Sequence, residues 1–161
     1  MNAFPSTRRN TLFIAVASAM LAGCAGMGMS GSDDMSVKLS GNQEVPAVNT
    51  PASGSGNIKV VSDGSVSGSV TTTGVQGVAA HIHEAAAGTN GPVIIPLVKT
   101  GDNTWSVPDG AKLTAEQMNS FKAGKLYVNV HSPTNKGGEI RAQIAPSASF
   151  AGRPPSPSTG Y

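Results

Sequence analysis

Cysteine is almost missing: Cys24 is the only one in 161 residues, so no disulfide can form within the chain and packing alone must hold it. Aromatics are few, with one Trp, two Tyr and four Phe, which leaves the core to aliphatic side chains. Only 12% of residues are charged. Two of the eleven basic residues, Arg8 and Arg9, lie close to the N-terminus, and without them nine basic side chains balance nine acidic ones. A neutral domain has no electrostatic footprint for nucleic acid, so the sequence pI of 8.9 is not a DNA-binding signal. The apolar stretch at residues 11–21 (TLFIAVASAML) falls short of the ~20 residues a helix needs to cross a hydrocarbon core.

What is present at the N-terminus reads as a targeting segment. Arg8 and Arg9 make a positive region and the uncharged stretch follows. Leu21-Ala22-Gly23-Cys24 then resembles the lipobox of bacterial lipoproteins. That resemblance implies cleavage before Cys24 and acylation of this residue (palmitate among the acyl chains). A protein so modified is tethered to a membrane, because each buried methylene contributes ~0.8 kcal/mol. The expected location is the cell envelope, lipid-anchored on the extracytoplasmic side. With Ala25 after the cysteine, that means the outer membrane where two membranes exist. Thr7-Arg8-Arg9 shares only its arginine pair with twin-arginine signals.

The expected organisation is a signal peptide over residues 1–23, a flexible Gly/Ser/Met tether over 24–36, one β-sandwich domain over 37–145, and a disordered Pro/Ser-rich tail over 146–161. The body is rich in Val, Thr, Ser and Gly, which favours strands. Ile58-Lys59-Val60 leads through Asp63-Gly64 into a strand at 66–72. Alternation demands that Ile58 and Val60 share a face with Val66 and Val70, and a three-residue loop, Asp63-Gly64-Ser65, keeps that parity. Residues 75–84 read as a strand. Residues 92–99 read as an edge or bulged strand because of Pro96, and 104–107 as a short strand. One helix is expected after Thr114, with Gln117 completing a capping box, Leu113 and Met118 as flanking apolar contacts, and Gly124 as the stop. Strands at 125–131 and 139–144 follow. The fold class is mainly β: an antiparallel Greek-key-like sandwich or flattened barrel with one short helix.

The chain has three histidines. His81 and His83 lie two apart in a strand, opposite Ala80 and Ile82, so both sit on the polar face. Leu126, Val128 and Val130 form the apolar face of a later strand, leaving Tyr127, Asn129 and His131 on the other. In the last strand Glu139, Arg141 and Gln143 face out. Matched parity sets His131 opposite Glu139 or one pair away, where the carboxylate would orient the imidazole. Three imidazoles meeting from two strands suit copper or zinc. The alternative is plain hydrogen bonding that pins the loop at 84–91. Met27, Met29 and Met35 offer thioethers to cuprous ion, although methionines near a leader are usually incidental. Glu44, Glu139 and Arg141 read as a local ion pair on the outer face, and Trp105 as a packing residue. No base is placed to activate Ser132 or Thr134.

The segments Asn42-Gln43-Glu44-Val45-Pro46, Ala80-His81-Ile82-His83-Glu84, Gly88-Thr89-Asn90-Gly91-Pro92-Val93, Leu126-Tyr127-Val128-Asn129-Val130-His131 and Gly137-Gly138-Glu139-Ile140-Arg141-Ala142-Gln143 together resemble the CHRD domain. The resemblance implies an extracellular β domain of largely unassigned molecular function, found in chordin as part of a growth-factor antagonist. A more distant likeness is to copper/zinc superoxide dismutase, whose sandwich carries a His-x-His strand, a Gly-rich loop and a later Val-x-His strand. On that likeness His81, His83 and His131 match three of four copper ligands. There is no histidine left for the fourth position or for a zinc cluster, the enzyme's disulfide cannot form, and no arginine is assigned to guide superoxide. Three readings stand: a membrane-anchored binding protein holding one copper or zinc ion, a dismutase-like redox enzyme, and a metal-free adhesive module whose protein partner the sequence does not name.

Overall fold

The computed structural model describes Met1 and residues 31–152. The rest of the expected leader, Cys24, Met27, Met29 and the last nine residues of the tail lie outside the described residues. Nine strands form one antiparallel sheet: β1 (Ser32–Ser40), β2 (Ser53–Val61), β3 (Val66–Thr73), β4 (Ala79–Glu84), β5 (Val93–Pro96), β6 (Val98–Gly101), β7 (Thr104–Ser106), β8 (Leu126–His131) and β9 (Ile140–Ile144). The strand order is β5-β4-β8-β9-β1-β2-β3-β7-β6. Two features curl this sheet into a flattened barrel. The join between β9 and β1 is a single ladder pair, Ser40 with Arg141, so the sheet can fold sharply there into a four-stranded and a five-stranded layer. At the far edges, β5 and β6 are separated in the chain by Leu97 alone, which ties the two ends of the order together.

Between the layers lies the aliphatic core that the composition requires. Met35, Val37 and Leu39 from β1, Ile58 and Val60 from β2, Ala80 and Ile82 from β4, Leu126, Val128 and Val130 from β8, and Ile140, Ala142 and Ile144 from β9 are all buried. Period-two alternation is what gathers them on one side. Trp105 joins them, as its packing reading anticipates. Helix α1 (Ala115–Lys122) begins at the expected capping box: Thr114 Oγ1 accepts from the Gln117 amide, and Gln117 Oε1 accepts from the Thr114 amide.

Four expectations need correction. Strand β1 starts at Ser32, so residues 32–36 are not tether, and Met35 packs in the core rather than offering its sulfur to a metal. The Asp33-Asp34 pair disguised this start, yet the Asp33 carboxylate accepts a hydrogen bond from the Ser147 amide, which satisfies it on burial. The tail begins later than expected, because a short second helix, α2 (Ala148–Ala151), buries Phe150 edge-on against Phe121 at 5.4 Å. The turn between β2 and β3 is Ser62-Asp63-Gly64, one residue earlier than read. Val61 and Ser65 close it, and Gly64 takes φ +91°, the left-handed conformation that ends a three-residue hairpin loop. Parity is unchanged, with Val60 opposite Val66. Finally, β4 starts at Ala79 rather than Val75. Pro96 is on an edge strand, as its missing N–H requires.

Phe150→Ala is expected to lower the unfolding free energy by about 3 kcal/mol, the usual loss for a buried phenylalanine. Urea denaturation measures it, and an unchanged midpoint would mean that α2 does not belong to the cooperative unit.

Candidate metal centre

The outer face of the four-stranded layer carries a second, polar interior. Cross-strand pairing lines up His83 with Tyr127 and Gln143, His81 with Asn129 and Arg141, and His131 with Ala79. These side chains were expected to face outward, but most do not reach solvent. Asn129 and Arg141 are each 1% exposed, Tyr127 2% and His83 8%. The loop between β4 and β5 lies over them. Its run Ala85-Ala86-Ala87-Gly88 has side chains small enough for the backbone to approach the sheet. At Gly91 a Cβ would strike the Glu84 carbonyl, so only glycine fits there.

Arg141 fastens this cover. Its guanidinium donates to the Thr89 carbonyl at 2.9 Å, to Gln143 Oε1 at 3.1 Å, and to Asn90 Oδ1 and the Ala86 carbonyl at 3.4 Å. It lies 3.4 Å above the Tyr127 ring. The neighbouring strand sets His83 parallel to that ring, with centroids 4.8 Å apart and planes 4° from parallel. Because β4 and β9 flank β8 on opposite sides, Tyr127 is held between an imidazole and a guanidinium. Gln143 adds bonds to the Ala85 and Gly124 carbonyls at 3.0 and 2.8 Å, and the Gly91 amide donates to the Tyr127 hydroxyl at 3.3 Å.

Across a cleft of about 220 Å³, lined by Gln43, Glu44, Gly88 and Arg141 among others, sits the carboxyl of Glu44. Burial pushes its pKa up to about 7, against the opposing pull of the Arg141 charge and the Val45 amide. The outer-face ion pair expected of Glu44, Glu139 and Arg141 therefore takes another form. Arg141 is buried and bonds mainly to carbonyls, Glu44 is buried beside it, and Glu139 accepts from the Thr50 hydroxyl at 2.9 Å.

The three histidines converge. One nitrogen from each of His81, His83 and His131 lies within 4.8 Å of the others. Two of the rings are fixed by backbone carbonyls: His83 Nδ1 donates to Gly91 O and His131 Nδ1 donates to Lys136 O, both at 2.9 Å. A carbonyl only accepts, so each Nδ1 bears the hydrogen and each Nε2 keeps a lone pair. His131 Nε2 meets His81 Nδ1 at 2.9 Å. His83 Nε2 is buried and has no hydrogen-bond partner. Burial lowers the pKa of His81, with the charges of His131 and His83 adding to it. Burial also lowers that of His83, against the Gly91 carbonyl. Both rings are therefore neutral, the form a metal requires, at pH 7. Glu139 is not the residue that orients His131; the Lys136 carbonyl is. Burial raises the Glu139 pKa, but bonds from Ser132, Thr50 and Asn135 outweigh it and hold the carboxylate low.

Ligands at ~2.0–2.1 Å from a tetrahedral zinc ion stand roughly 3.4 Å apart, so a pair at the 4.8 Å limit must close by about 1.4 Å. His83 and His131 are held by carbonyls, so His81 is the ring whose rotation must supply that shift. Sequence reasoning found the histidines and missed the buried shell of Tyr127, Asn129, Arg141 and Glu44. Nothing in strand alternation marks a polar face as covered; the small-residue run at 85–88 was the available signal.

The model of one protein family, the CHRD domain, matches residues 35–144. No curated protein matches the chain, and no solved structure does.

Two outcomes are expected from this shell. Arg141→Met is expected to cost about 3 kcal/mol or more, since it strips buried carbonyls of their donors. Hydrogen exchange should show protection lost across residues 85–91 first, and uniform loss would contradict the anchoring role. For Glu44, the folded-state pKa of about 7 lies above its ordinary 4.5, so the folded protein keeps a proton that the unfolded chain has released between those values. The stability this contributes is whole below pH 4.5 and is lost as pH rises through about 7. Glu44→Gln should flatten that slope and stabilise the protein at about pH 8, on the order of 2 kcal/mol after allowance for solvent screening. Denaturation curves on either side of neutrality measure it.

Proposed function

We propose that this chain, which belongs to the CHRD-domain family, is a binding module of the cell envelope that holds one copper or zinc ion on His81, His83 and His131. The observation that carries this reading is the pre-set chemistry of the rings. His83 and His131 have their protons committed to carbonyls through Nδ1, so each keeps an Nε2 lone pair on the other side of the ring, unpartnered at His83 and met only by His81 Nδ1 at His131. Imidazoles oriented by an outer hydrogen bond are the usual form of metal-ligating histidine. A purely structural role would leave His83 Nε2 as a buried acceptor with nothing to accept, at a cost of about 1–3 kcal/mol. His81 would present Nδ1, its proton moving to Nε2 as the bond to His131 gives way.

The anchor at Cys24 is part of the same reading. It rests on the Leu21-Ala22-Gly23-Cys24 motif, and places the domain outside the cytoplasm. Dismutase chemistry is not proposed, since the chain's three histidines are all used and none remains for the further ligands of that enzyme.

Protein stripped with chelator and reloaded should carry one copper or zinc ion per chain by elemental analysis, and a His81→Ala/His83→Ala variant none. Stoichiometry well below one, unchanged in the variant, overturns the metal reading. For the anchor, Cys24→Ala should move the protein from the membrane fraction to the soluble fraction and remove the acyl mass. Identical fractionation of both forms overturns it.

A further inference from the structure

Asn129 is the floor residue of the histidine cluster. On its strand face it stands directly across from His81, two residues before His131, and one diagonal step from His83. Direct cross-strand neighbours have Cβ atoms about 5 Å apart and diagonal ones about 7–8 Å, so Asn129 shares its strand face with all three rings and stands nearest His81. It is 1% exposed.

The carboxamide has a fixed orientation. Its NH2 group points toward the Gly137 carbonyl at 3.4 Å and the space around Gly138, where the Glu44 carboxylate also reaches. The oxygen lies on the opposite side of the carboxamide from these contacts. Asn129 Oδ1 is buried and, like His83 Nε2, has no hydrogen-bond partner. The carboxamide lies one diagonal step from His83 on the same strand face, and no hydrogen bond joins the two. Since His83 carries its proton on Nδ1, both orphaned atoms are lone-pair donors. Two buried acceptors sharing one dry region repel each other. A cation between them and the remaining imidazoles satisfies every one.

We infer that Asn129 Oδ1 is the fourth donor of the ion held by His81, His83 and His131, an inference that rests on the metal reading above. Three imidazole nitrogens and one amide oxygen form a neutral, borderline-to-hard set. That set selects a divalent ion, zinc or cupric, over cuprous ion, which prefers softer ligands.

The test uses the full chain loaded with zinc for affinity and with cobalt(II) for visible spectra. Asn129→Leu, close in volume but without the oxygen, should weaken zinc about tenfold or more and change the cobalt bands. Asn129→Asp, which keeps an oxygen and adds charge, should bind zinc more tightly than the parent. Parent-like affinity and spectra in a folded Asn129→Leu protein overturn the inference and leave the metal reading standing, provided His83→Ala still abolishes binding. No binding by the parent chain overturns both. If Asn129→Leu does not fold by circular dichroism, Asn129→Asp decides alone, and unchanged affinity there counts against the fourth donor.

Discussion

A buried guanidinium must find an acceptor or a ring face for each of its polar edges, and Arg141 organises this protein by doing so. It is 1% exposed, and its acceptors sit chiefly on the loop between β4 and β5. That loop contains Gly91, whose carbonyl fixes the tautomer of His83. The same guanidinium lies flat on Tyr127, whose other face supports the His83 ring. Arg141 is also the β9 residue that pairs with β1, at the seam where the two layers join. One side chain thus couples sheet closure, loop position and imidazole orientation. Glu44 beside it contributes through space: burial alone would leave the arginine's charge costly, and a nearby carboxylate offsets part of that cost when ionised.

The inward half of the fold was legible because it obeys one rule. Ile58, Val60, Val66, Val70, Ile82, Val128 and Ile140 alternate with polar residues, and strand geometry sends them all to the core. The capping box at Thr114 and Gln117 was readable for a similar reason, since its chemistry is confined to four consecutive residues. The outer face was not legible. Alternation says that Tyr127, Asn129 and Arg141 point away from the core, but it cannot say that another segment lies on top of them. That depends on hydrogen bonds between residues about fifty apart, such as Arg141 to Thr89. Both domain boundaries failed the same way: Asp33 and Phe150 look like solvent-facing terminal residues until Ser147 and Phe121 are brought beside them.

The absence of disulfides gives this second interior its energetic sense. A domain of this size without covalent staples has one aliphatic core to rely on, and loops outside it would ordinarily fray. Here the loop between β4 and β5 is held by many charge-assisted and neutral hydrogen bonds instead. Buried polar networks of that kind are costly when incomplete, since each missing partner leaves a desolvated group. Three of the four buried side-chain atoms without a partner among the described residues belong to this polar layer: His83 Nε2 and Asn129 Oδ1 at the histidine cluster, and Glu44 Oε1 beside Arg141.

The placement of that cluster along the strands is consistent with a tethered binding module. Leu126 starts β8 opposite Ile144, and three residues later the Ser147 amide meets Asp33 at the beginning of β1. The described chain thus enters and leaves at one pole. His131 ends β8, five residues farther along, so it lies roughly 17 Å toward the opposite pole at the rise of an antiparallel strand. A tether attached ahead of β1 would hold the first pole toward the surface it anchors to and direct the histidines outward. His83, which is nearest the pole where β1 begins, is the most buried of the three rings, while His81 and His131 are only partly covered. The ring with the orphaned nitrogen thus forms the base of the cluster, and the two more accessible rings form its solvent-facing side.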